Sequence, residues 1–355
     1  MMRILRELFP KKLRDRLHTA SLIRNAKKND EIFYCQALAG ESDFNICINS
    51  DMTVSCNCQD FDGSGHIGDL TTQTLAEVFS GPIAHRFRTA LAARSFPSST
   101  CIHCAERKLI AASEVDRALF RYSVPRRGIM VENTAHCNLR CHLCDREKLL
   151  VLRDGKTSLL LTNVEKIALL LRENCIESLY YFNLGEPFLP PDILEQITII
   201  RNHNPHLRII ASTNGQLLDR SGKREAALLM DYISVSLDGI NQEIVSKYQV
   251  GAQFEKAYQN MSLLVSERNA RGAKTIIEWK YVVFRWNDHP DQINEAIRLA
   301  QEIGVDAIGF YRGEGRLSDR SLRWHFHPLF KKTGENISGG KIVNLNNIPA
   351  HLLSP

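Results

Sequence analysis

The chain has 355 residues, 44% of them hydrophobic and 24% charged, with a formal net charge of +5. This is the composition of an ordinary soluble globular protein, long enough for a sizeable core and more than one domain. No apolar run approaches the roughly 18 residues of a membrane-spanning helix, and the basic N-terminus lacks the apolar stretch of a secretion signal, so a cytoplasmic location is expected.

Ten cysteines in a compartment that keeps thiols reduced point to metal or redox work rather than disulfides. Cys35, Cys47, Cys56, Cys58, Cys101 and Cys104 come first, followed by Cys137, Cys141 and Cys144. Cys175 stands alone and reads as a small buried residue. Charge is uneven as well. Residues 1–28 carry nine Lys and Arg against Glu7 and Asp15, a net of +7, which leaves the rest of the chain at −2.

In chain order, the basic segment 1–30 holds a short helix over 11–23, after Pro10, with Leu13, Leu17 and Ala20 on one side. It reads as contact with a membrane surface or an anionic partner, or, preferably, as a solvated helix packed on its own protein. Residues 31–110 form a cysteine-rich α+β segment. Phe44–Asn49 and Thr53–Cys58 alternate like the arms of a hairpin around Ser50-Asp51. Asp62-Gly63-Ser64-Gly65 marks a loop. A helical stretch from about Leu75 to Leu91 is interrupted near Gly81-Pro82, and Phe96-Pro97 ends it before Cys101-Ile102-His103-Cys104.

Over 126–312 short apolar strands alternate with amphipathic helices. Strands are expected near Ile129–Glu132, Ser178–Leu184, Arg208–Ser212, Tyr232–Leu237, Thr275–Phe284 and Ala307–Tyr311. Thr162 and Glu165 read as a capping box for a helix burying Val164, Ile167, Ala168 and Leu171. Phe254, Tyr258, Met261 and Val265 form a second stripe. Pro290 and Gly304 bracket a third helix, with Ile293, Ile297 and Ala300 inward. Six such units give an α/β fold, a partial (β/α)6 TIM-like barrel with the small cysteine-rich domain N-terminal to it. The tail, 313–355, has weak periodicity. His325 and His327 within it could reach an active site, although exposed imidazoles on a loop are the preferred reading.

Reactive groups of such folds collect where strands end. Here those ends carry the cysteine triplet, Gly185-Glu186-Pro187, Ser212-Thr213-Asn214-Gly215, Ser236-Leu237-Asp238-Gly239, Arg285 with Asn287, and Tyr311-Arg312. Each tetrapeptide alone could be a plain turn. Their shared placement favours a site. Cys137-x3-Cys141-x2-Cys144 is expected by chance only about 0.008 times in a chain of this composition. Three thiolates can hold a four-iron cluster and leave its fourth iron open.

At these residues the chain resembles the radical S-adenosylmethionine (radical SAM) family. The triplet matches that family's cluster motif, and Gly185-Glu186-Pro187 resembles its second motif. The resemblance implies a [4Fe–4S] cluster on Cys137, Cys141 and Cys144. It also implies S-adenosylmethionine held through Gly185, Glu186, Pro187, Ser212, Asn214, Ser236 and Asp238. Glu186 would suit the ammonium of the methionine moiety. Leu143 departs from the usual aromatic residue before the last cysteine. The implied reaction is reductive cleavage to a 5′-deoxyadenosyl radical that takes a hydrogen atom from a peptide or a small polar, sugar-like substrate, with flavodoxin or ferredoxin as reductant.

The upstream segment is similar to the auxiliary-cluster domain known as SPASM, although that domain usually follows the core, and Met52 stands where its turn has glycine. The similarity implies a second [4Fe–4S] cluster on Cys35, Cys56 or Cys58, Cys101 and Cys104, with Cys56 preferred. Alternation in a strand puts Cys56 and Cys58 on one face. Cys47 points opposite to Ile46 and Ile48 and is left out. Zinc is the competing metal at this upstream site. Two other functions stand beside the enzyme: a non-catalytic metal-stabilised binding module, and radical modification of RNA through residues 1–28. The acidic remainder of the chain argues against a large nucleic-acid face.

Overall fold

The computed structural model describes residues 11–316, 318–326 and 340–353. Its strands are β1 (Glu31–Cys35), β2 (Cys47–Ile48), β3 (Thr53–Ser55), β4 (His66–Asp69), β5 (Arg107–Ala111), β6 (Ile129–Val131), β7 (Ser178–Tyr180), β8 (Arg208–Thr213), β9 (Tyr232–Ser236), β10 (Ile276–Val283), β11 (Ala307–Arg312) and β12 (Lys341–Asn344). β1 and β5 pair antiparallel as a separate ribbon. The other ten form one sheet in the order β12-β11-β10-β9-β8-β7-β6-β2-β3-β4.

The six expected strands lie side by side in chain order, and every pairing from β6 to β11 is parallel. Helices cross between them, at Leu161–Glu173, Ile193–His203, Ser221–Leu228, Phe254–Arg271 and Pro290–Ile303. This is an α/β fold with a mostly parallel sheet, as the repeats imply. The Pro290–Ile303 helix starts on Pro290 and ends on Gly304 in the left-handed conformation, where a side chain would be strained.

The two faces of the sheet differ. Alternate residues such as Ile209, Ile233, Trp279, Tyr281 and Ile308 pack with the helices in the large core. Their neighbours Met130, Tyr180, Ile210, Tyr232, Ile276 and Ala307 form a smaller cluster on the helix-free face, and Cys47 joins it. Ile46 and Ile48 lie in the large core, so Cys47 does point opposite to them.

Several sequence expectations are corrected. The hairpin arms are not confined to the segment before the core. β2 runs parallel to β6 and, with β3 and β4, extends the main sheet. The N-terminal helix runs Lys11–Lys28, further than expected. Leu13, Leu17 and Ala20 are exposed on it. It docks instead through Leu22, Ile23 and Ala26, against Phe33, Leu91 and Phe96. The Leu161–Glu173 helix buries Val164, Ile167, Ala168 and Leu171 but has no side-chain cap. It begins one residue before Thr162, and Glu165 bonds His203 at 2.6 Å instead. β7 stops at Tyr180. Cys175 is exposed with φ 51°, in the turn that follows the helix, where the chain must reverse at the surface.

Part of the tail finds a place. β12 joins the edge of β11 antiparallel. Ile348 and Leu353 then close the apolar end of the helix-free face. His327 lies outside the described residues. Among the described residues no helix is long and apolar enough to cross a membrane.

Candidate active site and cysteine groups

The first cysteine group grows out of the end of β6. Its loop is pinned on three sides by backbone bonds. Ala135 N–H donates to the Thr157 carbonyl at 2.7 Å, Arg140 N–H to Val250 at 3.0 Å and His142 N–H to Tyr248 at 2.9 Å. Glu186 N–H reaches the His136 carbonyl at 2.8 Å, which joins the Gly185-Glu186-Pro187 turn to the start of the loop. Gly185 permits this approach: a Cβ there would lie 1.9 Å from the Thr134 carbonyl oxygen.

The Cys137, Cys141 and Cys144 thiols lie on this loop, and burial pushes all three up, Cys141 to about 12. Cys141 is raised further by the charges of Asp238, Cys137 and Cys144, so the three thiols share one neighbourhood. Leu139 N–H donates to Cys137 Sγ at 3.4 Å and the Asn214 side-chain amide at 3.7 Å. Donors to sulfur are among the levers that tune an iron–sulfur centre.

Glu186 is committed within the chain. Its buried carboxylate accepts from Phe188 N–H at 3.1 Å, the Thr213 hydroxyl at 2.6 Å and Asn214 N–H at 2.8 Å. Burial raises its carboxyl, and these three donors oppose that shift, as does the charge of Lys223. Lys223 itself donates to the Phe188 carbonyl. Glu186 thus ties the end of β7 to the end of β8. Pro187 offers its carbonyl to the Asn133 side chain at 2.9 Å.

Further round the rim, Ser212 and Ser236 are half-buried on the helix-free face. Asp238 is buried and accepts from Val282 N–H at 2.7 Å. Burial pushes its carboxyl to about 7, against the lowering pull of that N–H and of Lys280. Gln249 bridges the Asp238 N–H and the Ser236 carbonyl. Asn287 donates to the Asp238 carbonyl at 2.9 Å, whereas Arg285 is exposed. Gln249 carries no sequence signal, because it lies in a helix-to-helix loop with no motif. The Glu132–Arg153 pair, 2.6 Å apart and buried, was likewise invisible, since its partners are 21 residues apart.

The upstream cysteines divide. Cys56 feels Cys35, Cys101 and Cys104. These four line one small void together with Leu38, Phe87 and Leu91. Burial raises Cys35, Cys56 and Cys101. Cys58 feels only Cys104 among them and bonds Asn45 at 3.4 Å. β3 ends at Ser55, so strand alternation does not reach Cys56 and Cys58. Asn57 donates to Cys104 Sγ at 3.3 Å and Leu38 N–H to Cys35 Sγ at 3.5 Å. A cavity of about 330 Å³ lies between the groups, lined by Asn57, His103 and Cys104 on one side and Asp145 and Lys148 on the other. As the side chains stand, no group of three or more His, Cys, Asp or Glu among the described residues is arranged to hold a metal ion.

Residues 131–277, which contain the triplet and the Gly185 and Asp238 turns, match the family model of the Radical SAM superfamily. That segment, about two fifths of the chain, is similar to radical SAM domains. A curated relative, the GTP 3',8-cyclase of Helicobacter pylori (strain HPAG1), is 29% identical over 119 residues, covering 34% of this chain and 37% of its own length. Solved structures similar to this chain include native anSMEcpe with bound AdoMet and Cp18Cys peptide, at 17% identity and a TM-score of 0.41, covering 55% of each chain. Another is the radical S-adenosylmethionine methyltransferase TsrM from Kitasatospora setae, at 17% identity and a TM-score of 0.40, covering 52% of this chain and 35% of that one. The chain therefore spans little more than a third of the curated relative and about half or less of these two structures.

Proposed function

We propose that the protein is a radical SAM enzyme that cleaves S-adenosylmethionine reductively and takes a hydrogen atom from a peptide or small polar substrate. The observation that carries this reading is the clamp between the two loops. The cysteine triplet leaves β6, and the Gly185-Glu186-Pro187 turn leaves β7, with Glu186 N–H fixed on His136. The donor set fits the group: three thiols on one loop, with an N–H and an amide directed at one sulfur. A four-iron cube spreads its ligands over corners, so its cysteines need not converge on a point.

When bound, the cluster and S-adenosylmethionine supply the electron and the 5′-deoxyadenosyl radical. The residues of the chain place and shield them. Cys137, Cys141 and Cys144 hold iron. Gly185 lets the methionine-binding turn press against the cluster loop, and Glu186 sets that turn by holding Thr213 and Asn214. Asp238, Ser236 and Ser212 face the nucleotide side. Asp238, held by Val282 N–H, suits a sugar hydroxyl as a hydrogen-bond acceptor.

Cys35, Cys56, Cys101 and Cys104 are proposed to hold an auxiliary [4Fe–4S] cluster, with flavodoxin or ferredoxin as reductant. The shared void and the two donors to sulfur support this, and the isolation of Cys58 supports Cys56 as ligand. Iron and sulfide per chain test both sites. Wild type should hold about eight irons and a Cys137/Cys141/Cys144→Ala variant about four. Wild type with dithionite should form 5′-deoxyadenosine. Full iron loading without that product refutes the enzyme reading.

A further inference from the structure

The helix-free face changes character along its strands. Near the strand starts it is apolar, closed by Ile348 and Leu353. Towards the strand ends it turns polar on β9, β10 and β11. Glu278 lies at the centre of that polar strip, fully buried, opposite Ser234 on β9. Its Oε1 accepts from the Tyr311 hydroxyl at 2.8 Å. Its Oε2 and the Ser234 hydroxyl are buried with no hydrogen-bond partner, and the Tyr232 hydroxyl, which makes no well-formed hydrogen bond either, is raised by burial and faces Glu278 closely enough to be raised by it too. Glu278 enters no ion pair among the described residues. Such a carboxylate is costly unless something outside the chain completes it. The chain makes room for it: a Cβ on Gly309 would lie 2.0 Å from Glu278 Oε1.

Two residues on, Lys280 faces the same way, because alternate strand residues share a face. Its ammonium lies 5.2 Å from the centroid of the Tyr311 ring and has no ion pair among the described residues. Tyr311 thus stands between two opposite charges, its hydroxyl on one and its ring under the other. In an ordinary interior, opposite charges this near would pair. Lys280 pairs with Ser236 on β9, and its carbonyl accepts from Leu237 N–H at 3.0 Å, so the strip runs up to Asp238 at the rim. Half-buried Ser212, Ser236 and Lys280 form its mouth, and Glu278 its floor.

We propose that this strip is the substrate subsite and takes a small zwitterion, with an ammonium on Glu278, Ser234 and Tyr232 and an anionic group on Lys280. The inference rests on the radical SAM reading and narrows its substrate from any polar molecule to one carrying both charges.

Small molecules extracted from the source organism, sorted by successive cation and anion exchange, provide the test. Each fraction is added to iron-loaded protein with S-adenosylmethionine and dithionite, and 5′-deoxyadenosine is compared with and without it. The fraction retained on both resins should stimulate. It should also raise the unfolding midpoint of wild type. Glu278→Gln and Lys280→Met should fold and lose about tenfold or more of the stimulation, as expected when a charged hydrogen bond is removed. Glu278→Asp and Lys280→Arg replace either variant that fails to fold and should retain part of it. Stimulation by a neutral or singly charged fraction, by no fraction, or undiminished in the variants overturns the proposal. Loaded protein that never yields 5′-deoxyadenosine is a different failure, because the radical SAM reading then falls first.

Discussion

Replacing Gly185 by alanine tests the contact on which the site is built. The new Cβ would lie 1.9 Å from the Thr134 carbonyl oxygen and 3.0 Å from that of His136. Real Cβ atoms hardly ever approach below 3.0 Å, so the turn and the loop must part by at least 1.1 Å along the worse contact. Both neighbours are backbone, so no rotamer change relieves the clash. Overpacking of this kind costs about 1–3 kcal/mol. The 2.8 Å bond from Glu186 N–H to His136 lies beside it and would open, adding about 1 kcal/mol. Spread over the unfolding entropy of a 355-residue chain, this is a fall of about 3–5 °C in the unfolding midpoint. Because Thr134 and His136 lead into Cys137, iron at the triplet should fall as well, by up to about four per chain. Gly222→Ala is the control. It lies in the Ser221–Leu228 helix with nothing within 4 Å of the added methyl, and it should match or slightly exceed wild type. Calorimetry and iron analysis on the three proteins decide the matter. A Gly185→Ala protein that melts with wild type and keeps its iron would refute the claim that this contact sets the cluster loop.

Three more outcomes follow from the geometry. Burial raises the Asp238 carboxyl from 3.8 to about 7, so folding favours its protonated form; that stability is complete below pH 3.8 and is lost as pH rises through 7. Asp238→Asn should therefore gain on wild type between pH 4 and 8 by at most about 4 kcal/mol, measured by urea titration of iron-free protein. A constant difference across that range would contradict it. Arg153→Met leaves Glu132 buried without its counter-charge, held only by the Ser50 and Asn183 donors, at a cost of about 3–5 kcal/mol, and adding Glu132→Gln should recover part of the loss; equal stabilities would deny the pair its role. Cys56→Ser should lose upstream iron and Cys58→Ser should keep it, by metal analysis, with the opposite pattern reassigning the ligand.

The parallel strands were legible because each is a short apolar run between amphipathic helices, and both faces of β6–β11 must be covered. Pro290 and Gly304 marked their helix because φ restriction and φ freedom are local properties. The rim motifs were legible for the same reason, since each is a turn at a strand end. What escaped was decided by distant partners. Leu13 and Leu17 have the spacing of a buried stripe, but Phe33, Leu91 and Phe96 meet the helix one and two turns later. Glu165 has capping chemistry, yet His203 on the neighbouring helix takes it. The placing of β2 beside β6 could not be read from either strand, because two residues of pairing leave no pattern. The commitment of Glu186 inward depended on donors 27 and 28 residues away.

The pairing of β2 with β6 bears on any attempt to trim the protein. Cutting away everything before residue 126 would strip β2, β3 and β4 from the sheet and leave the β6 margin bare. A bare margin invites a strand from another molecule. A shortened version beginning at residue 126 would thus be expected to precipitate or pair with itself, and silence from such a fragment would say nothing about the chemistry of the intact chain.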